Sequence, residues 1–120
     1  MKSDSNFKLK RKIKTIIKDA FRGKPYRRNQ KIIDILGCST ENFKLYLESK
    51  FEYWMSWENH GLYNGELNFG WDIDHIIQIS TAKTEEDVIK LSHFSNFQPL
   101  CSKTNRDIKK AKYYGEIVSI

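Results

Sequence analysis

The sequence predicts an α+β fold built as one compact domain of 120 residues. Three observations carry the prediction. The first half repeats apolar side chains at helical spacing. The second half contains two short runs with strand character, Trp71–Ile79 and Phe97–Leu100. A helical pattern lies between those runs and another follows them, so the order reads strand, inserted helix, strand, helix.

The first helix is marked by Leu9, Ile13, Ile16, Ile17, Ala20 and Phe21 on one face, with Lys8, Arg11, Lys12, Lys14, Lys18 and Arg22 around the remainder. Ser5 or Asn6 is expected to cap it, and Gly23 and Pro25 to end it. A basic surface loop, Lys24–Arg28, follows. The next helix is short, near 30–36, with Ile32, Ile33 and Leu36 inward and Gly37 as its stop. Ser39 or Thr40 then caps a third helix to about Phe51, burying Phe43, Tyr46, Leu47, Phe51 and Trp54. Asn64-Gly65 is a tight-turn signal, so Leu62–Leu67 is expected to form a small hairpin.

In the first strand Trp71, Ile73, Ile77 and Ile79 alternate onto one face. Thr84 caps the inserted helix, whose first turn holds Glu85, Glu86 and Asp87 where the helix dipole favours acids. Val88, Leu91 and Phe94 point inward from it. Pro99 confines the second strand to an edge or an end. Ser102 is expected to cap a last helix reaching about Lys112. There is no internal repeat and no low-complexity linker.

Hydrophobic residues make up 39% of the chain and aromatics 13%, enough for a modest core. No apolar run approaches the roughly 20 residues of a membrane span. The charged N-terminus lacks the apolar segment of a signal peptide. A cytoplasmic protein without a membrane partner is expected. Cys38 and Cys101 form no CxxC pair and no Cys/His ligand spacing, so no structural zinc is expected and both read as buried thiols. Charge is segregated. Residues 1–31 carry twelve Lys or Arg against two Asp, residues 32–101 four against eleven acids, and residues 102–112 five against one. Two basic segments flanking an acidic centre favour a polyanionic partner, nucleic acid first.

The chemistry concentrates in Trp71-Asp72-Ile73-Asp74-His75-Ile76-Ile77. A carboxylate suits a hard divalent cation, and a histidine takes a proton near neutral pH. Together Asp74 and His75 suggest metal-assisted hydrolysis. In a regular strand the two would face opposite ways. A twist, bulge or strand end is therefore expected at this pair. Asn96 stands just before the second strand and Asn105 in the first turn of the last helix, where Asn105, Lys109 and Lys112 share a face.

Asp74-His75-Ile76, then Asn96 with Phe97-Gln98-Pro99-Leu100, then Asn105, resembles the HNH endonuclease family in an H-N-N variant. The run Leu36–Ser39, Phe43, Tyr46–Glu48 and Met55–Asn59 resembles phage-type members. The resemblance covers roughly residues 30–112. It implies a ββα-metal (His-Me finger) motif over 71–112, with the N-terminal helices of 1–70 packed on it and a tail over 113–120. It implies that His75 is the general base and that Asp74 and Asn105 hold one Mg²⁺, or another divalent cation such as Mn²⁺. Asn96 would be no ligand but would hydrogen-bond backbone across the ββ loop and hold His75. The substrate would be DNA, cut to 5′-phosphate and 3′-hydroxyl ends. Arg106, Lys109 and Lys112 would contact phosphates near the scissile bond, and Lys12 and Lys18 would extend the footprint. A single such site cuts one strand, so the protein acts as a monomer that nicks, or cuts both strands as a homodimer or in two events. The alternative is a non-catalytic DNA-binding protein on the same fold. Gln78 departs from the proline common in similar proteins, and Leu62–Phe69 reads as an insertion that shapes access.

The remaining polar and aromatic candidates read as ordinary structure. Asp72 is expected to face solvent, His93 to sit at a helix end, His60 to lie in a loop without a metal role, and Trp54, Trp57 and Trp71 to pack in the core.

Overall fold

A computed structural model describes residues 2–24 and 30–107. The fold is α+β, with several helices and a two-stranded antiparallel sheet. In chain order the elements are α1 (Lys2–Ala20), α2 (Ile32–Leu36), α3 (Thr40–Glu48), β1 (Trp71–His75), α4 (Glu85–Leu91), β2 (Phe97–Cys101) and a final helical stretch, α5, over 102–107. Short 3₁₀ turns lie at Trp57–Asn59, Ile79–Thr81 and Phe94–Asn96. No helix among the described residues is long and apolar enough to cross a membrane. The chain forms two compact units. One takes in the described residues up to Ser49 together with His75–Gln98. The other takes in Lys50–Asp74 and the described residues from Pro99 on.

In the first unit α1 packs on α2 and α3. Its buried residues are Leu9, Ile13, Ile17 and Ala20, the spacing that puts side chains on one helix face. Each fully buried large aliphatic residue is worth about 1.5–3 kcal/mol. The helix begins at Lys2, not at Ser5 or Asn6, so both of those residues lie inside it and neither caps it. α2 buries Ile35 and Leu36, while Ile33 is exposed. Leu36 is buried as expected, whereas Ile35 takes the inward place expected of Ile33. A five-residue helix has little more than one turn, so several apolar triplets fit it equally well. Ser39, not Thr40, caps α3: its Oγ accepts from the Asn42 N–H at 3.0 Å. α3 stops at Glu48, short of Phe51. Its Phe43 and Tyr46 meet Phe97 and Phe94 edge-on, at 5.7 and 5.1 Å between centroids.

Gly37 ends α2 in the left-handed region, φ 87°, and its N–H bonds to Ile33 O. A Cβ there would lie 2.5 Å from His93 Nε2. Gly37→Ala is therefore expected to destabilise the protein by about 1–2 kcal/mol from the backbone alone, plus a steric part from the His93 ring. Chemical denaturation should show that steric part recovered when His93→Ala is added. Equal stability of the single and double variants would refute the ring contact.

Thr84 caps α4 as expected, with Oγ1 accepting from Asp87 N–H at 3.0 Å. The Asp87 carboxylate accepts in return from Lys83 N–H at 3.0 Å, and this bond, joined by hydrogen bonding from Thr84, holds its carboxyl below the usual range. The first turn of α4 is thus closed from both sides.

The second unit is centred on Trp71, which is fully buried. His60 stacks on it at 4.3 Å, and Phe51 and Trp57 meet it edge-on at 5.0 and 5.2 Å. The indole N–H donates to Ser56 O at 2.6 Å, so this buried polar atom is satisfied. Leu62–Leu67 forms turns, not the predicted hairpin, and every residue from 61 to 69 is exposed. Asn64 Oδ1 accepts from Glu66 N–H at 2.9 Å, closing a side-chain-to-backbone turn without flanking strands. The turn chemistry was present, but Leu62 and Leu67 had no partner surface to alternate against. Cys101 is buried and Cys38 only half-buried; both are free thiols, and burial pushes the Cys38 thiol up.

Candidate functional site

β1 and β2 pair with a constant register. Ile76 N–H bonds to Asn96 O at 2.8 Å near one end, and Ser102 N–H bonds to Gly70 O at 2.8 Å near the other. β1 stops at His75, not at Ile79. The expected strand end thus falls at the Asp74-His75 pair. Burial along β1 shows the same break: Trp71 and Ile73 are buried, Asp72 is half-buried, and Asp74 is buried although it lies on Asp72's side. Ile76 and Ile77 are exposed, so Ile77 does not continue the inward row.

Asn96 explains why the strand ends. Its side chain is buried, 8% exposed. Oδ1 accepts from Ile77 N–H at 2.9 Å, and Nδ2 donates to Ile77 O at 3.0 Å and to Leu91 O at 2.9 Å. One amide thus occupies both backbone groups of Ile77 that a longer strand would have paired, and ties them to the end of α4. Gln78 adds a further tie, with Nε2 donating to the His75 carbonyl at 3.1 Å. The glutamine fixes the strand exit by a hydrogen bond that proline could not make. His75 as a residue is half-buried, with its ring 4.7 Å from the Phe97 ring and its Nε2 shielded from solvent.

The other half of the predicted constellation lies on β1 and α5. Asp72 and Asp74, two residues apart on a strand, point to the same face. Asn105 lies on that face, because its Nδ2 donates to Asp72 Oδ2 at 2.9 Å. Asp74 and Asn105 are 6% and 4% exposed. With its nitrogen used on Asp72, the amide has its carbonyl oxygen left to offer a ligand. One carboxylate and one amide oxygen are hard donors, and so small a set suits a cation such as Mg²⁺ that keeps waters in its shell. Among the described residues no group of three His, Cys, Asp or Glu could hold a metal ion. The residues that would offer oxygen are Asp74 and Asn105.

Asp72 is not the solvent-facing acid expected. Arg106 grips it with two bonds, Nε to Oδ2 at 3.1 Å and Nη2 to Oδ1 at 3.0 Å, and Ser102 Oγ donates to Oδ1 at 3.0 Å. Burial pushes this carboxyl up, but the bonds from Arg106, Asn105 and Ser102 and the Arg106 charge outweigh it, and it sits below its ordinary value. The folded state so favours ionised Asp72. Its stabilisation is present above the ordinary carboxylate range and is lost as pH falls through the lowered value. A signal for this was in the sequence. Asp72 shares a strand face with Asp74, and arginine follows Asn105 directly.

Ser102 is the first residue of α5 rather than the cap before it. Arg106 also donates from Nη2 to Gly61 O at 3.2 Å and stands over the Tyr63 ring at 5.0 Å. Two of its nitrogens thus face protein. Lys12 and Lys18 are exposed on α1. Lys109, Lys112, the end of the last helix and the tail lie outside the described residues, as does most of the Lys24–Arg28 loop. His93 stands beyond the end of α4, where its ring Nδ1 accepts from Ser95 N–H at 3.3 Å and caps the turn that leads to Asn96. His60 serves as a stacking partner of Trp71.

No known family signature matches the chain, and no solved structure matches it. The chain is similar to two uncharacterized proteins of Acanthamoeba polyphaga mimivirus, each 30% identical to it. The alignments cover 92% and 98% of this chain but 45% and 51% of those proteins. The chain thus spans about half the length of the curated relatives it matches.

Proposed function

We propose that the protein is a metal-dependent endonuclease of the HNH type, hydrolysing DNA phosphodiester bonds. The observation that carries the reading is the pair of buried asparagines in two different roles. Asn96 spends its whole amide on backbone at the exit of β1, whereas Asn105 spends only its nitrogen and keeps an oxygen available. The ββα-metal reading calls for this division between a loop-tying asparagine and a ligand. The viral origin of the similar proteins accords with the phage-type resemblance.

In this reading His75 accepts the proton of the attacking water on an imidazole nitrogen, at the point where the Asn96 and Gln78 bonds fix the chain. Asp74, one peptide bond away, and Asn105 would hold a divalent cation through oxygen. When bound, such an ion supplies positive charge to the scissile phosphate and the leaving 3′ oxygen. Plasmid nicks should carry 5′-phosphate and 3′-hydroxyl ends, so DNA ligase alone should reseal them. Nicks that need end repair before ligation would count against this chemistry.

The basic face of α1 supports DNA as the polyanion. Lys8, Arg11, Lys12 and Thr15 line a shallow cleft of about 280 Å³, and Lys18 is exposed farther along the helix. Changing Lys12 and Lys18 to Glu is expected to weaken DNA binding and to lower the slope of log K against log salt by about 2, because each phosphate contact releases roughly one counterion. An unchanged slope in fluorescence anisotropy titrations would remove α1 from the footprint.

A further inference from the structure

We propose that Asp72 is a positioning residue that decides which end of the Asn105 amide is presented as a ligand. The inference rests on the nuclease reading and extends it to a residue outside the proposed ligand pair. The two ends of an asparagine amide are almost equal in shape and differ only in hydrogen-bond chemistry: the oxygen accepts and the nitrogen donates. An ionised carboxylate only accepts. Asp72 Oδ2, 2.9 Å from the Asn105 amide, therefore demands the nitrogen and turns the oxygen away. The flipped amide would set two acceptors against each other where Asn105 is only 4% exposed, a costly arrangement for buried polar groups.

The demand is firm only if the carboxylate is itself immobile, and four donors make it so. Arg106 binds both oxygens, Ser102 binds Oδ1, and Asn105 completes the set at Oδ2. Arg106 is anchored in turn by Gly61 O and the Tyr63 ring. All the bonds to Asp72 come from α5, so one strand carboxylate aligns the helix that carries the ligand. Asp74 lies on the same strand face and needs no such help, because both of its side-chain ends are oxygen.

The test is Mn²⁺ binding to the full chain, followed by calorimetry, with circular dichroism to check folding. Asp72→Asn keeps the size of the side chain but adds a donor that can take the Asn105 oxygen. We expect it to bind Mn²⁺ at least tenfold more weakly than the unaltered protein. Adding Asn105→Asp should restore binding to within about threefold, since a carboxylate offers oxygen at either end. That rescue separates orientation from a merely structural role. If the single variant does not fold, the double variant, which again pairs one donor with one acceptor, carries the test. Three results would overturn the proposal: undiminished binding by Asp72→Asn, a single variant that loses binding without rescue, or a folded double variant that does not bind. Absence of Mn²⁺ binding by the unaltered protein would instead overturn the metal reading beneath it.

Discussion

His75→Ala is expected to slow plasmid nicking by about 10²–10⁴-fold, the usual contribution of a positioned general base. The residue ends β1, its carbonyl accepts from Gln78, and its ring lies against Phe97 at 4.7 Å. The Asn96 bonds to Ile77 hold the backbone that follows it. The residue as a whole is half-buried, so the variant should still fold, and DNA binding through lysines should persist. Single-turnover nicking, together with anisotropy binding, separates the two effects. A variant that binds DNA and cuts at the unaltered rate would remove His75 as the base.

Asn96→Ala is expected to destabilise the protein by about 2–4 kcal/mol. The substitution strands three backbone groups: Ile77 N–H, Ile77 O and Leu91 O. A buried polar group left without its partner costs about 1–3 kcal/mol. The total falls below three times that value because Ile77 is 55% exposed and water can reach part of its backbone. Asn96→Asp should cost at least as much. It keeps the oxygen that accepts from Ile77 N–H but turns a second oxygen toward two carbonyls. Urea denaturation measures both, and a loss under about 0.5 kcal/mol for Asn96→Ala would show that these bonds do not hold the strand exit. This outcome depends on folding alone, whatever the protein does.

The sequence was most legible where local chemistry decides the structure. Ser39 and Thr84 as caps, Gly37 as a helix stop and the α1 stripe are all set by a few neighbouring residues. The break of β1 at Asp74-His75 was legible for a different reason: two polar side chains cannot serve one site from a regular strand. Its cause was only half legible, because Asn96 acts on Ile77 from 19 residues away. Asp72 was misread because its donors, Ser102, Asn105 and Arg106, all come from a later helix, and the shared strand face with Asp74 and the arginine after Asn105 were its only sign. The predicted hairpin at Leu62–Leu67 failed in the opposite way: the turn signal was real, but strands need partners that turn residues do not encode. Ile33 in α2 was misplaced because five residues are too few for periodicity to select one face.

The proposed function is cleavage of DNA with the help of a divalent cation. Incubating the purified protein with supercoiled plasmid in Mg²⁺ or Mn²⁺, and in parallel with EDTA, tests it most directly. Conversion to nicked or linear DNA is expected in the metal, and none in EDTA. Intact supercoiled plasmid in every divalent metal, from a protein that still binds DNA, would contradict it and favour a non-catalytic DNA-binding protein.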